Sequence, residues 1–369
     1  ALWRRTGGRT LMPINRFPLF YFNRWQHPIG QELLDETNAV DIRFLKTDMP
    51  ETETWPAIET SLGFQIGSAR DELPLQYHVN AEFLKRTPKL IAVCTHGAGY
   101  DTVDAAACTE AGVLICNQTG KNGEAVAEHA LGMMLSLGKK ILEADRRMRS
   151  DREWDRNQFM GQDMLGKTVG IVGLGNIGRR VAELCGQLFR MRVLAYDPYL
   201  SADDFKERGA EPVPLQELLR ESDYVTVHTP RTAETTGMFG VKEFGLMKES
   251  AYFVITARGG IVDEGALADA LKSGGIAAAG VDVFAVEPPP LDDPVVGLGN
   301  VILTPHTAGV TVDARKNCAR GAAEQWIAFA EGHRPARIVN PDAWPKFCER
   351  YQEHVGKPMR QSDQQTSER

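Results

Sequence analysis

The stretch T-V-G-I-V-G-L-G-N-I-G-R-R, residues 168–180, decides the fold of this chain. It places Gly173, Gly175 and Gly178 in a G-x-G-x-x-G pattern, between a β-branched apolar run and a helical run. The first glycine permits a tight turn, the second lets the backbone approach a pyrophosphate, and the third lets helix and strand pack closely. N–H groups at the start of the helix face the phosphates. The pattern therefore predicts a dinucleotide-binding unit.

An acidic residue follows at the spacing that this unit requires. Asp197 lies nineteen residues beyond Gly178, at the end of the next apolar run, VLAYDP. A carboxylate there accepts hydrogen bonds from the ribose hydroxyls and repels a 2′-phosphate. We therefore predict NAD, rather than NADP, as the cofactor.

Apolar runs on both sides of this motif predict two parallel sheets. Six runs separated by crossovers indicate a doubly wound sheet around the motif, and five shorter runs with helical stretches between them indicate a flavodoxin-like βα domain before it. The six runs are residues 168–173, 192–197, 224–230, 252–258, 277–284 and 301–306; the five are residues 17–22, 40–45, 63–67, 90–96 and 113–116. The predicted fold class is α/β, with two Rossmann-like domains.

The order of these patterns gives the domain boundaries. We predict a first part of a substrate domain at residues 12–121, an inserted NAD-binding domain at 122–310, a C-terminal return at 311–356, and a disordered tail at 357–369. Residues 1–11 are basic and lack an apolar centre, so we expect them to lie outside the fold, as a non-native or upstream remnant. Residues 123–150 read as one long helix, and the polar arm 151–166 follows it.

The composition excludes several classes of partner. The chain has 369 residues and a net charge of −7, which argues against nucleic acid or an anionic membrane as the main partner. It contains no apolar run long enough to span a membrane. The six cysteines are widely spaced without a C-x-x-C pair, which predicts free thiols in a reducing cytoplasm and no metal site.

Three polar residues follow apolar runs and form a set suited to carbonyl reduction. They are Arg258, Glu287 and His306. Arginine matches a carboxylate with its planar fork, and histidine exchanges a proton near neutral pH. A glutamate orients the imidazole and favours its charged form. Because ligands bind at the carboxyl ends of parallel strands, we expect these three side chains to converge.

These motifs in order resemble the D-isomer-specific 2-hydroxyacid dehydrogenase family. The resemblance runs from about residue 90 to residue 306 and rests on GAGYDTVD (97–104), GKTVGIVGLGNIGRRVA (166–182), YVTVHTPRTAET (224–235), TARGGIVDEGAL (256–267), GVDVFAVEP (280–288) and LTPHTAG (303–309). It implies an NAD-dependent enzyme that moves a hydride between nicotinamide and a small D-2-hydroxy or 2-oxo acid. It also implies a homodimer, formed through residues 123–166.

The resemblance assigns roles to individual residues. Arg258 resembles the substrate-binding arginine, Glu287 the acid of the catalytic dyad, and His306 the general acid/base. The backbone at Ala98 and Gly99 is similar to the loop that receives the substrate carboxylate. Further positions match cofactor contacts, with Asp282 at the nicotinamide amide: Gly173, Gly175, Asn176, Ile177, Gly178, Asp197, Thr229, Thr256, Ala257 and Asp282.

Some alternatives stay open at the level of sequence. The family commonly has an apolar residue where this chain has Arg231, which meets either a second anionic group on the substrate or only solvent. The same fold also serves NAD-sensing corepressors that bind peptides, and dehydrogenases of non-carbon donors such as phosphite. Glu287 argues against formate dehydrogenase, where the histidine has a glutamine partner.

Overall fold

A computed structural model describes residues 16–360 of the chain. The predicted remnant at residues 1–11 and residues 361–369 of the predicted tail lie outside the described residues. Contacts divide the chain into two compact units. The first runs to Asn122 and resumes at Arg315, and the second spans Gly123–Ala314.

The elements alternate between strand and helix along most of the chain. The strands are β1 (Phe17–Phe22), β2 (Val40–Leu45), β3 (Gly63–Ile66), β4 (Ala92–Thr95), β5 (Leu114–Cys116), β6 (Thr168–Val172), β7 (Arg192–Tyr196), β8 (Glu211–Pro212), β9 (Tyr224–Val227), β10 (Tyr252–Ile255), β11 (Ala278–Val281) and β12 (Val301–Leu303). The helices are α1 (Ile29–Thr37), α2 (Glu51–Glu59), α3 (Ala81–Arg86), α4 (Ala105–Ala111), α5 (Gly123–Gly138), α6 (Ile141–Ser150), α7 (Asn176–Phe189), α8 (Ala202–Glu207), α9 (Leu215–Glu221), α10 (Val241–Phe244), α11 (Glu264–Ser273), α12 (Val312–Glu331) and α13 (Trp344–Val355).

The first unit is built on a parallel five-stranded sheet in the order β2-β1-β3-β4-β5. This is the flavodoxin-like order, as predicted. All six residues of β1 are buried, because apolar clusters cover both faces of the sheet. Trp326 of α12 is wholly buried in one cluster, and its indole N–H donates to Gln65 on β3 at 2.6 Å.

The second unit is a parallel seven-stranded sheet in the order β12-β11-β10-β9-β6-β7-β8. The strand order reverses between β6 and β9, and such a switch point opens a crevice at the carboxyl ends of the strands. The predicted doubly wound fold is confirmed. The six predicted strands are present, and the seventh, β8, escapes prediction because it comprises only two exposed residues.

The prediction of a single helix over residues 123–150 is wrong. The chain forms α5 and α6, with Lys140 between them in a left-handed conformation at φ 53°. The carbonyl of Gly138 accepts the N–H of Gln162 at 2.7 Å, so the returning arm takes the acceptor at the end of α5. A helix terminus satisfied in this way has no need to continue.

The start of the predicted tail is packed against the first unit. Met359 is buried in the same cluster as Trp326, and the N–H of Arg360 donates to the carbonyl of Gly332 at 2.7 Å. The packed chain therefore reaches at least residue 360. None of the helices within residues 16–360 has the length and apolar character that crossing a bilayer requires.

Candidate active site

The glycine turn leads from β6 into α7 in the second unit. Gly173 has φ 89°, a conformation that other residues rarely adopt. A Cβ on Gly178 would lie 2.1 Å from the carbonyl oxygen of Gly173, so only glycine lets the helix pack this closely. A Cβ on Gly175 would meet nothing within 4 Å, which leaves open space at the start of the helix. Asn176 and Ile177 form the first turn of α7.

Asp197 is tied to this turn at the carboxyl end of β7. One oxygen of its carboxylate accepts the N–H of Leu174 at 3.0 Å, and the other accepts the N–H of Tyr199 at 3.1 Å. Asp197 therefore holds the glycine turn and keeps a negative charge beside it.

Polar residues also follow β9 and β10, on the two neighbouring strands. Thr229 has a buried hydroxyl with no hydrogen-bond partner among the described residues. Thr256 and Ala257 are buried after β10. Nε2 of His228 lies 2.9 Å from the hydroxyl oxygen of Thr226. Burial lowers the pKa of His228 to about 3. His228 is therefore a neutral imidazole near neutral pH.

Arg258 begins the turn after these residues. Its Nη1 donates to the carbonyl of Ala257 at 2.7 Å. The next residue must be glycine, because a Cβ on Gly259 would lie 1.7 Å from the carbonyl oxygen of Phe284. The backbone after Arg258 thus packs directly on the backbone that precedes Glu287.

Glu287 and His306 form a hydrogen-bonded pair. Oε2 of Glu287 lies 2.8 Å from Nδ1 of His306, while Oε1 accepts the N–H of Phe284 at 3.0 Å. The bond orients the imidazole and commits Nδ1, so Nε2 is the nitrogen left for exchange with a ligand. Within the described residues, Nε2 of His306 makes no hydrogen bond to protein.

Each partner moves the pKa of the other. Burial opposes the charge on Glu287, but the bond from His306, the N–H of Phe284 and the charge of Arg258 outweigh it, so its pKa lies below the ordinary value. The hydrogen bond to Glu287 raises the pKa of His306 above its ordinary value, against burial and the charge of Arg258. The pairing with Glu287 thus favours the protonated imidazole of His306.

The predicted site residues fall into both units. Ala98 and Gly99 lie in the loop after β4 of the first unit, where the carbonyl of Ala98 accepts the side-chain amide of Asn117 at 2.8 Å. All other predicted positions lie in the second unit. There the structure joins Glu287 to His306 and places the charge of Arg258 where it acts on both.

Two predicted positions have surroundings that the sequence did not show. The carboxylate of Asp282 is fully buried and accepts hydrogen bonds from the chain around His306. Its predicted contact with the nicotinamide amide stays a prediction. Arg231 is half-buried rather than solvated on an open surface, and its Nη1 donates to the carbonyl of Gly259 at 3.2 Å.

Two residues near the site went unnoticed in the sequence. His228 is part of the quoted H-T-P motif, but a histidine at a strand end alone does not predict a buried neutral ring. His129 lies in the middle of α5, and its contact with Thr304 joins residues 175 positions apart. No local pattern signals such a contact.

Comparisons with known proteins agree with this architecture. The sequence profile described as "D-isomer specific 2-hydroxyacid dehydrogenase, NAD binding domain" matches residues 131–308. The chain is 41% identical to a glyoxylate reductase of Korarchaeum cryptofilum over 267 residues, covering 72% of this chain and 80% of that protein. It is 38% identical to a D-3-phosphoglycerate dehydrogenase of Archaeoglobus fulgidus over 315 residues, covering 85% of this chain but only 58% of that protein.

A solved structure supports the same relationship. The D-lactate dehydrogenase of Aquifex aeolicus, complexed with NAD and lactic acid, superimposes with a TM-score of 0.74 at 27% identity, covering 87% of this chain and 98% of that one. The second unit is thus the NAD-binding domain of an oxidoreductase. The chain belongs to the D-isomer specific 2-hydroxyacid dehydrogenase family, whose members are NAD-dependent oxidoreductases of CH–OH groups, so the predicted family is confirmed.

The residues present fit NAD. The open space at Gly175 leaves room for a pyrophosphate at the start of α7, where backbone N–H groups attract anions. The unpartnered hydroxyl of Thr229 is a further polar atom that a bound ligand can satisfy. Asp197 would offer its carboxylate as an acceptor to ribose hydroxyls. The glycine turn, Thr229 and Asp197 would therefore hold the cofactor.

Proposed function

We propose that this protein interconverts a small 2-oxo acid and the corresponding D-2-hydroxy acid with NADH and NAD. The observation that carries the proposal is the 2.8 Å contact between Glu287 and Nδ1 of His306. It favours the protonated form of the imidazole and leaves Nε2 for a substrate oxygen. Arg258 adds a cation whose charge acts on both members of the pair.

Each side chain has one task in this proposal. Arg258 binds the substrate carboxylate with its planar guanidinium. Nε2 of His306 donates a proton to the carbonyl oxygen during reduction and accepts it during oxidation. Glu287 holds the ring and stabilises its charged form. The bound cofactor supplies the hydride from C4 of its nicotinamide ring.

A panel of 2-oxo acids with NADH and NADPH tests the activity directly. Glyoxylate, pyruvate and phosphohydroxypyruvate are the first candidates, because relatives are named glyoxylate reductase, D-lactate dehydrogenase and D-3-phosphoglycerate dehydrogenase. We expect loss of NADH absorbance with at least one acid, and slower turnover with NADPH. Absence of turnover with every acid, by a folded protein that binds NADH, would contradict the proposal.

Two variants test the assigned roles. His306→Asn should lower kcat by at least about a hundredfold, since it removes the acid/base group. Arg258→Ala should mainly raise KM for the acid, since it removes the partner of the carboxylate. NADH binding, followed by fluorescence, should change little in either variant. Unaltered kcat and KM in both would refute the site assignment.

We further propose a homodimer that buries α6. This helix contains no buried residue. Two of its exposed side chains are large and apolar, Ile141 at 52% and Met148 at 49% exposure. Met160 in the following arm is 72% exposed. Apolar side chains concentrated on an otherwise polar helix are typical of an interface. Light scattering should give twice the chain mass, and Ile141→Asp with Met148→Asp should give a monomer.

We also propose a cytoplasmic location. All six cysteines are free thiols, and five of them are buried. Free thiols are usual in a reducing compartment. Cell fractionation with a cytoplasmic marker would test the location, and recovery with secreted proteins would contradict it.

A further inference from the structure

The catalytic imidazole is carried on a turn that needs support. His306 has φ 53°, in the left-handed region that residues other than glycine rarely occupy. Such a conformation persists only where surrounding contacts determine it. The N–H of His306 donates to the backbone carbonyl of Asp282 at 2.7 Å, which supplies the first of these contacts.

The carboxylate of Asp282 accepts hydrogen bonds from the chain on both sides of His306. Oδ1 accepts the hydroxyl of Thr304 at 2.6 Å and the N–H of Thr307 at 2.8 Å. Oδ2 accepts the N–H of Ala308 at 3.0 Å. The Asp282 side chain is fully buried, so these hydrogen bonds replace hydration that the carboxylate lacks.

His129 extends this network from α5. Met133 of α5 packs against Gly280 of β11, and His129 lies one turn earlier along the helix. Its Nε2 is 3.2 Å from Oγ1 of Thr304 and 3.9 Å from Oδ1 of Asp282. Because Thr304 gives its only hydroxyl proton to Asp282, its oxygen must accept from His129. The ring of His129 therefore carries a proton on Nε2.

We propose that His129 is a positioning residue that acts through Thr304 and Asp282 to hold His306 against Glu287. The three side chains form one directed chain of hydrogen bonds, from the Nε2–H of His129 to the hydroxyl of Thr304 and on to the carboxylate. If the chain breaks, the turn relaxes and the imidazole moves away from Glu287. Turnover then falls, while the glycine turn, Thr229 and Arg258, which are assigned to cofactor and substrate, stay intact.

Paired variants separate hydrogen bonding from shape. His129→Phe and Thr304→Val remove the hydrogen bonds, whereas His129→Gln and Thr304→Ser keep a donor and a hydroxyl. We expect the first two to lower kcat about tenfold with KM changed less than about twofold, and the second two to retain most of kcat. Glu128→Gln, an exposed neighbour on α5, is the control and should match the parent.

A second measurement does not depend on turnover. NMR titration follows the imidazole of His306, whose ionisation responds to Glu287, Arg258 and Asp282. In folded His129→Phe and Thr304→Val, the midpoint should fall, because the ring loses contact with Glu287. It should stay at the parent value in His129→Gln, Thr304→Ser and Glu128→Gln. Thr304→Val is nearly isosteric, so it serves if His129→Phe fails to fold.

The outcomes distinguish this proposal from the proposed function on which its kinetic part rests. Normal kcat and an unchanged NMR midpoint in both disruptive variants would overturn the positioning role. Equal loss in the disruptive and conservative variants would also overturn it, because only shape would then matter. If the parent turned over no acid, the proposed function would fail, and the NMR midpoint alone would decide about His129.

Discussion

Oε1 of Glu287 accepts the N–H of Phe284 while Oε2 holds Nδ1 of His306, at 3.0 and 2.8 Å. The glutamate is thus fixed at one end to the backbone and at the other to the imidazole. The backbone of Phe284 also packs on Gly259, next to Arg258. Changes at Glu287 should therefore affect the proton held by His306 more than they affect the fold.

Glu287→Gln should move the pH profile of the reaction to lower pH. Reduction requires protonated His306, so kcat/KM is high below its pKa and falls above it. Glu287 raises that pKa, and the amide lacks the charge that does so. The fall in reduction and the rise in oxidation should both begin at lower pH. Initial rates over a pH series measure this, and an unmoved profile would contradict it.

A matched control for this shift is Glu249→Gln. Glu249 is exposed in the same unit, so its loss changes the net charge equally without touching His306. Its pH profile should coincide with that of the parent. If the pH profile shifted equally in both variants, the net charge of the protein, rather than the Glu287–His306 hydrogen bond, would set the pKa of His306.

The fold could be predicted where apolar runs decide it. The bounds of β1 and β2 match the runs at residues 17–22 and 40–45. All six residues of β1 are buried, as expected for a strand covered on both faces. β2 lies at the edge of the sheet and is buried only at its two ends. The break at Lys140 could not be predicted, since it depends on Gln162 reaching the end of α5. Tertiary contacts of this kind override a helical pattern.

The site divides in the same way. Arg258, Glu287 and His306 stand out because each follows an apolar run, and parallel strands bring their carboxyl ends to one edge. His129 does not stand out, because its partner is distant in sequence and a histidine within a helix carries no local signal of such a contact. Sequence therefore identifies groups at strand ends, while their support from packed helices needs coordinates.

Gly178→Ala should destabilise the second unit. The added Cβ would lie 2.1 Å from the Gly173 carbonyl, so the backbone must shift, at about 1–3 kcal/mol of unfolding free energy. Gly186→Ala in the same helix is the control, because its Cβ would meet only Val193 at 3.6 Å. The control should gain up to roughly 1 kcal/mol from helix propensity. Urea unfolding measures both, and equal stabilities would refute the packing argument.

Asp197→Asn should shift the preference for cofactor. The amide keeps an acceptor for one backbone N–H but loses the charge that repels a 2′-phosphate. We expect kcat/KM to fall about tenfold with NADH and to rise with NADPH. Asp203→Asn, at an exposed position of α8, should leave the ratio of kcat/KM with NADH to kcat/KM with NADPH at the parent value. If this ratio were unchanged in Asp197→Asn, the charge of Asp197 would not determine the preference for NADH.

Arg231→Leu should discriminate among substrates. The guanidinium donates to the carbonyl of Gly259, directly after Arg258, so it adds a second cation at the turn that carries the proposed carboxylate-binding residue. Acids with a second anionic group, such as oxaloacetate, should lose about tenfold in kcat/KM, whereas glyoxylate should lose little. Arg220→Leu removes an exposed cation of α9 and should affect neither acid. An equal loss for both acids would mean that Arg231 only braces the Gly259 turn.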